Sequence, residues 1–348
     1  MRILALQLKR IGDLVLTTPA LHALKSAGAH VTLVVMDGTA ALSPMLVDEA
    51  DATLVYRSRG GNGALWRQLW RGPFDACVDF TGRDRSALMT LASRARTRII
   101  ARPALRKGRW RRLCYNAVAD TPVRSRHTVD HYLDHLAPLQ TLLPRMSPAE
   151  FPAGPVLQLP PEATACALAT LSAHGIGADE EFFVVHPGSA RVEKYWLPER
   201  WAEVIAFCQG TLGRRCVLTG GSGDPVETRH LDQLRAALAA LGQPCVDLAG
   251  QLDLTTLTAV LSRARLFLGV DSGPMHLAAA WQHPQIVLFG PTNPFHWRPR
   301  HPGCRVLQAG HGDAPVREFA ERSPGGPLDL ISTRAVIDCI TEAMQGES

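Results

Sequence analysis

The sequence predicts two doubly wound α/β domains, each a parallel sheet covered by helices on both faces. Three observations lead there. Short apolar runs alternate with amphipathic stretches in β-α order, twice over. The apolar runs are rich in Val, Ile and Leu without polar alternation, as strands buried on both faces require. A stretch with no helical period, 144–161, carries Pro144, Pro148, Pro152, Pro155, Pro160 and Pro161 and separates the two series.

The first series opens with Ile3–Leu8, an apolar segment too short for a secretory leader and without a small-residue cleavage site. Strands follow at Val31–Met36, Ala52–Tyr56, Asp75–Phe80 and Arg98–Ala101. Helices are expected between them at Val15–Ala27, Ala64–Arg71 and Ser86–Ala92. The second series places strands at Phe182–His186, Arg215–Thr219, Cys245–Leu248, Leu266–Val270 and Ile286–Phe289. Its helices are Pro198–Gly210, Val226–Leu241, Leu254–Ala264 and Met275–Ala280. A last helix, Thr333–Met344, could pack on either domain. The boundary is drawn at 150, giving domains 1–150 and 151–348, each long enough to bury its own core.

Composition excludes several classes. No apolar run reaches the roughly 18 residues of a membrane span. The eight cysteines are scattered without a C-x-x-C pair, which points to reduced thiols in a cytoplasmic protein and away from a disulfide frame or zinc site. Charge is unevenly shared: residues 1–154 hold 22 Lys+Arg and 12 Asp+Glu, and the remainder 15 and 20. Arg94, Arg96, Arg98, Arg102, Arg106, Lys107, Arg109, Arg111 and Arg112 crowd one stretch. That run is either a solvated surface or a contact for something anionic.

In an open parallel sheet ligands bind beyond the carboxyl ends of the strands, so the residues just after each strand carry the chemistry. After the first strand stands Lys9-Arg10-Ile11-Gly12-Asp13. Gly12 permits a tight backbone. Asp13 is either a helix N-cap or a carboxylate able to take a proton from an acceptor hydroxyl. After the first strand of the second series, His186-Pro187-Gly188-Ser189, with Lys194-Tyr195-Trp196 behind it, can cradle a diphosphate. The turn Thr219-Gly220-Gly221-Ser222-Gly223 lets backbone approach a nucleotide closely, and Glu227 can reach ribose hydroxyls. Asp271-Ser272-Gly273-Pro274-Met275-His276 points hydroxyl and N–H groups at a ligand, and Gly290-Pro291-Thr292-Asn293 closes the ring of loops. G-x-G-x-x-G is absent after both first strands, which argues against a dinucleotide oxidoreductase; G-x-S-x-G and H-E-x-x-H are missing too. No D-x-D occurs, so a metal-bridged sugar diphosphate is not suggested; no cofactor is expected.

Gly12-Asp13 with Thr17-Thr18-Pro19-Ala20-Leu21, His186-Pro187-Gly188-Ser189 with Lys194 and Trp196, and Asp271-Ser272-Gly273-Pro274-Met275-His276 together resemble the lipopolysaccharide heptosyltransferases, glycosyltransferase family 9. Phe289-Gly290-Pro291-Thr292-Asn293 with Trp297-Arg298-Pro299 is most similar to the heptosyltransferase III branch. The resemblance implies a GT-B fold, two Rossmann-like domains facing across a cleft, and inverting transfer of heptose from ADP-L-glycero-D-manno-heptose to a lipid A–core acceptor on the cytoplasmic side of the inner membrane. It implies Asp13 as catalytic base. On the donor side it implies Ser189 and Lys194 for the diphosphate, Glu227 for the ribose and Asp271 for the heptose. Ser272, Gly273, Met275 and His276 close the phosphate side; Thr219 and Gly220 are added to these donor residues on the reading of their own turn. Gly12, Arg106, Lys107 and Arg109 are then acceptor residues, since arginine grips the phosphates and carboxylates of such an acceptor bidentately. The same patch suits an anionic membrane surface, and no nucleic acid partner is implied. Two alternatives stand beside this reading: a GT-B transferase for another nucleotide sugar or acceptor, and a non-catalytic nucleotide-sugar binder, which would not need Asp13.

Overall fold

Ile3, Leu4, Ala5 and Leu6 lose all contact with solvent, and around them the first sheet is built. They belong to β1 (Arg2–Gln7), which leads into α1 (Ile11–Ser26) and β2 (His30–Met36). β3 (Ala52–Tyr56), α2 (Gly63–Arg71), β4 (Ala76–Asp79) and α3 (Asp84–Ala92) follow. β5 (Thr97–Ala101), β6 (Ala117–Ala119) and α4 (Thr128–Asp134) complete the unit. The structure, a computed structural model, describes residues 1–221 and 223–345; Ser222 and the side chain of Lys107 lie outside the described residues. The sheet is parallel throughout, in the order β3-β2-β1-β4-β5-β6.

The second unit runs α5 (Pro161–Ala173), β7 (Phe182–His186), α6 (Pro198–Gly210), β8 (Arg215–Leu218), α7 (Pro225–Ala240) and β9 (Val246–Asp247). It continues with α8 (Leu254–Arg263), β10 (Leu266–Val270), α9 (Gly273–Ala279), β11 (Gln285–Phe289), α10 (Pro294–Trp297), β12 (Cys304–Gln308) and α11 (Thr333–Gln345). Its sheet, again parallel, has the order β12-β11-β10-β7-β8-β9. Each sheet thus reverses direction at one place, between β1 and β4 in the first unit and between β7 and β10 in the second. Those are the topological switch points of a Rossmann-like fold, where a ligand crevice opens at the strand carboxyl ends.

In the second core Trp196 and Trp201 meet edge to face at 4.9 Å among buried Phe183, Val185, Leu218, Leu268 and Leu288. Burying each such side chain contributes roughly 1.5–3 kcal/mol. Trp196 also donates its indole N–H to the carbonyl of Ile331 at 3.0 Å, and α11 packs on α6 within this same unit.

Several expectations shift. α1 begins at Ile11, not Val15, and its N-cap is Arg10, so the capping role open to Asp13 is not the one it takes. Pro19 sits inside α1 without breaking it: the hydroxyl of Thr18 donates to the carbonyl of Val15 at 2.7 Å, replacing the N–H that proline lacks. β6 and β12 are edge strands, the first only three residues long, too short to leave a periodic trace. The two compact units divide between Gln158 and Leu159. Inside the proline-rich stretch, Val156 N–H bonds Thr18 and Gln158 N–H bonds the carbonyl of Met45, which ties 156–158 to the first unit. Among the described residues no helix is long and apolar enough to cross a membrane.

Candidate active site

In the first unit the end of β1 builds the site. Gln7, wholly buried, donates its side-chain amide to the Thr17 hydroxyl at 2.6 Å, and Thr17 donates to the carbonyl of Asp13 at 2.7 Å. These bonds lock the first turns of α1 against β1 and fix where Asp13 stands. A carboxylate in a helix's first turn is also favoured by the helix dipole. The Tyr132 hydroxyl donates to Asp13 Oδ1 at 2.7 Å, and Lys9 Nζ lies 3.7 Å from the same oxygen. Lys9 in turn donates to the Tyr132 oxygen at 3.2 Å and sits 5.2 Å from the centre of its ring. Oδ2 of Asp13 has no hydrogen-bond partner among the described residues. One oxygen is therefore held and the other left to accept.

Behind Tyr132 lies an aromatic wall. Phe80 meets Tyr132 edge-on at 5.8 Å, and His135 and His131 pack within 4.8 Å of each other. Burial, then the Asp13 charge, pushes the Tyr132 phenol well above its ordinary range, so it stays a donor. Burial pushes His131 down to about 3 and His135 down to about 4, so both rings are neutral near neutral pH.

In the second unit the strand-end loops meet at the β7/β10 switch point. Lys194 Nζ bonds Asp271 Oδ2 at 2.6 Å and the Asp271 carbonyl at 3.3 Å, with both side chains largely buried. Thr219 is buried and pairs with His186 Nδ1 at 3.0 Å; burial holds that ring down at about 4. Glu227 Oε1 accepts the Gly221 N–H at 2.8 Å. A Cβ on Gly188 would meet that carboxylate oxygen at 2.0 Å, and one on Gly220 would meet Leu231 at 2.8 Å, so both glycines are close approaches. Ser189 follows Gly188, half-buried. The hydroxyls of Ser272 and Thr292, at the ends of β10 and β11, are buried without a hydrogen-bond partner. Ser272 is the N-cap of α9 and Gly273 its first residue. Met275 buries its whole side chain and His276 nearly all of its ring, leaving Met275 its first-turn N–H as the group to offer a ligand.

Of the expected residues, the structure brings together Lys194 with Asp271, Glu227 with the Gly188 and Gly221 turns, and Ser272 and Gly273 at one helix start. Gly12 lies in the first turn of α1 beside Asp13. Arg106 and Arg109 stand exposed on 3₁₀ turns after β5; the Lys107 side chain lies outside the described residues. The basic run is not uniformly free: Arg98 donates to the carbonyls of Cys114 and Ala95, Arg102 pairs with Asp120, and Arg111 is buried on Asp84. Sequence reasoning missed Tyr132 and did not use Lys9 or Thr292. Tyr132 stands in a His127…His131-Tyr132…His135 spacing that puts the ring on one helix face, a signal without meaning until α4 is docked on α1.

The family profile described as Glycosyltransferase family 9 (heptosyltransferase) matches residues 62–323. The chain belongs to that family. It is 25% identical to lipopolysaccharide heptosyltransferase 3 of Escherichia coli over 90% of both chains. A crystal structure of a family 9 glycosyltransferase from Veillonella parvula superposes with a TM-score of 0.83 at 24% identity, covering 100% of this chain and 97% of that one. An Escherichia coli heptosyltransferase solved with ADP-2-deoxy-2-fluoro heptose superposes with a TM-score of 0.68 at 22% identity, covering 98% and 99%. The fold of this family 9 glycosyltransferase is GT-B, two Rossmann-like units in one chain.

Proposed function

We propose that this family 9 enzyme moves a heptose from ADP-L-glycero-D-manno-heptose, with inversion, to an inner-core sugar of lipid A–core lipopolysaccharide, with heptosyltransferase III-like specificity. The observation that carries the reading is the Asp13 carboxylate, pinned through Oδ1 by Tyr132 and open at Oδ2. Asp13 takes the proton of the acceptor hydroxyl, whose oxygen forms a bond to the anomeric carbon as the bond to the diphosphate breaks. Charge then grows on the departing ADP. In this reading Lys194, Ser189, the Ser272 and Thr292 hydroxyls and the N–H groups of Gly273 and Met275 donate to it, which the buried, unpartnered Ser272 and Thr292 hydroxyls support. Asp271, shared with Lys194, faces the heptose; Glu227, beside the Gly188, Thr219 and Gly220 turns, takes the ribose; His276 closes the phosphate side. The first unit, 1–158, is the acceptor unit and the second, 159–348, the donor unit. Gly12, Arg106, Lys107 and Arg109 serve the acceptor. The donor assignment draws on the relative that binds an ADP-heptose analogue, the acceptor on the relative named for lipopolysaccharide. The enzyme then works at the cytoplasmic face of the inner membrane, in peripheral contact with it.

Asp13→Asn tests the base. Turnover is expected to vanish while ADP-heptose binding, read by calorimetry, stays within a few-fold of wild type. A variant turning over at the wild-type rate would remove Asp13 from the mechanism. A thermal-shift series across nucleotide sugars tests the donor, because a ligand of the native state must raise Tm; ADP-heptose should give the largest rise, and a larger rise with another sugar nucleotide would replace it.

A further inference from the structure

The stretch 64–113 of the first unit holds 13 Lys/Arg and only three acids. All three acids are engaged: Asp75 accepts the Arg2 N–H, Asp79 is buried on Tyr115, and Asp84 pairs with Arg111. The same stretch exposes large apolar side chains: Trp70 at 59%, Leu88 at 49%, Leu91 at 47%, Trp110 at 42% and Leu113 at 77%. Isolated exposed leucines need no explanation, but tryptophans and leucines interleaved with arginines do.

These residues form one surface. α2, which carries Trp70, packs against α3. Asp84, Leu88 and Leu91 fall on a single stripe of α3 at i, i+4 and i+7. Ala87 of α3 shares an apolar cluster with Ala104, Leu105, Cys114 and Tyr115, and the Arg111–Asp84 pair at 2.6 Å clamps the 3₁₀ turn Arg109–Leu113 onto the start of α3. The exposed Trp110 and Leu113 are thereby carried on a turn tied to the start of α3, the helix that bears Leu88. At the other end, the Arg94 guanidinium lies 5.0 Å from the centre of the Trp70 ring. Trp70, Arg71, Phe74, Arg94 and Arg96 line an open hollow of about 430 Å³ there.

We infer that this face, α2 and α3 with the turn Arg109–Leu113, is the surface by which the protein docks on an anionic phospholipid bilayer. Tryptophan rings sit at the headgroup level, leucines enter the acyl boundary, and arginines pair with the lipid phosphates. Charge complementarity favours this occupant: the stretch is strongly cationic and each of its three acids is engaged, matching a surface dense in phosphate. The hollow between Trp70 and Arg96 fits a single phosphate-bearing headgroup, held by three guanidinium groups beside an aromatic floor. The inference rests on the acceptor being carried on lipid, as proposed above, and it adds where the bilayer lies.

The test is flotation of the full chain with vesicles of phosphatidylethanolamine and phosphatidylglycerol, 3:1, against pure phosphatidylcholine. The protein should float with the anionic vesicles and not with phosphatidylcholine, and 0.5 M salt should release most of it. Leu88→Ser/Leu91→Ser/Leu113→Ser, and separately Arg96→Gln/Arg112→Gln, should each weaken partition at least tenfold while keeping the wild-type Tm. Turnover on a delipidated, water-soluble core oligosaccharide should be unchanged in both variants. Equal flotation with phosphatidylcholine, no flotation at all, or variants that partition like wild type would overturn the proposal. So would a matching loss of turnover on the soluble acceptor, which would assign the face to acceptor binding. If no heptosyl transfer is seen with any acceptor, the transfer reading fails while the vesicle result still stands by itself.

Discussion

Replacing Tyr132 with Phe deletes one atom, the donor 2.7 Å from Asp13 Oδ1, and keeps the ring against Phe80 and His135. A hydrogen bond to a charged group is worth roughly 1.5–3 kcal/mol. Two consequences oppose each other. Without the donor the carboxylate holds its charge less comfortably, which favours taking a proton. Without the donor it also turns freely, and Lys9, freed from the phenol oxygen, can pull Oδ1 towards itself from 3.7 Å. A misplacement of 1 Å costs about 100-fold in rate, roughly 2.7 kcal/mol, so positioning should win over basicity. The expected result is a kcat lower by about ten- to a hundredfold with KM for ADP-heptose unchanged, since the residues proposed to hold the donor belong to the other unit. Steady-state kinetics with varied donor at saturating acceptor reads both constants, and circular dichroism melting checks that the fold survives. A kcat at or above wild type would refute Tyr132 as a positioning residue. A fall in kcat matched by an equal rise in donor KM would make its role merely structural.

Lys194→Ala leaves Asp271 as a buried charge without its partner, a loss of roughly 3–5 kcal/mol by analogy with other buried pairs, and melting should show it. The double variant with Asp271→Ala should recover part of that stability while remaining inactive; additive losses would mean the two side chains do not interact. Neutralising Arg106, Lys107 and Arg109 together should raise the acceptor KM and leave the donor KM alone, and an equal effect on both would sink the acceptor assignment. Stability should also fall on acidification. His131, held at about 3, and His135 and His186, at about 4, bind protons less readily folded than unfolded. Their contribution is therefore whole above about pH 6.5 and is lost as pH falls towards 4, at about 2 kcal/mol for one such ring at pH 5. Urea unfolding at pH 7.5 and 5.0 measures it; equal stability at the two values would contradict the burial argument.

What could be read directly from the chain was whatever is local. Phe182–His186 and Leu266–Val270 match their predicted bounds because fully buried parallel strands write themselves as unbroken apolar runs. The loops after them were legible because a strand-to-helix turn near a ligand needs small and polar residues in succession. Edge strands β6 and β12 were not legible, being short or partly exposed, and α4 hides in a polar stretch whose helical face is aromatic and imidazole.

Chain order alone put Asp13 at the end of the first strand and Lys194 and Asp271 beyond two others. What each of them touches follows from the packing of distant elements. Asp13 finds Tyr132, 119 positions away, and Lys194 finds Asp271, 77 positions away. Those contacts arise where strand order reverses, and the order of strands in a sheet depends on how whole helices cover both faces, which no local pattern encodes. The same packing turned Asp13 from a candidate cap into a first-turn carboxylate with one oxygen held and the other open.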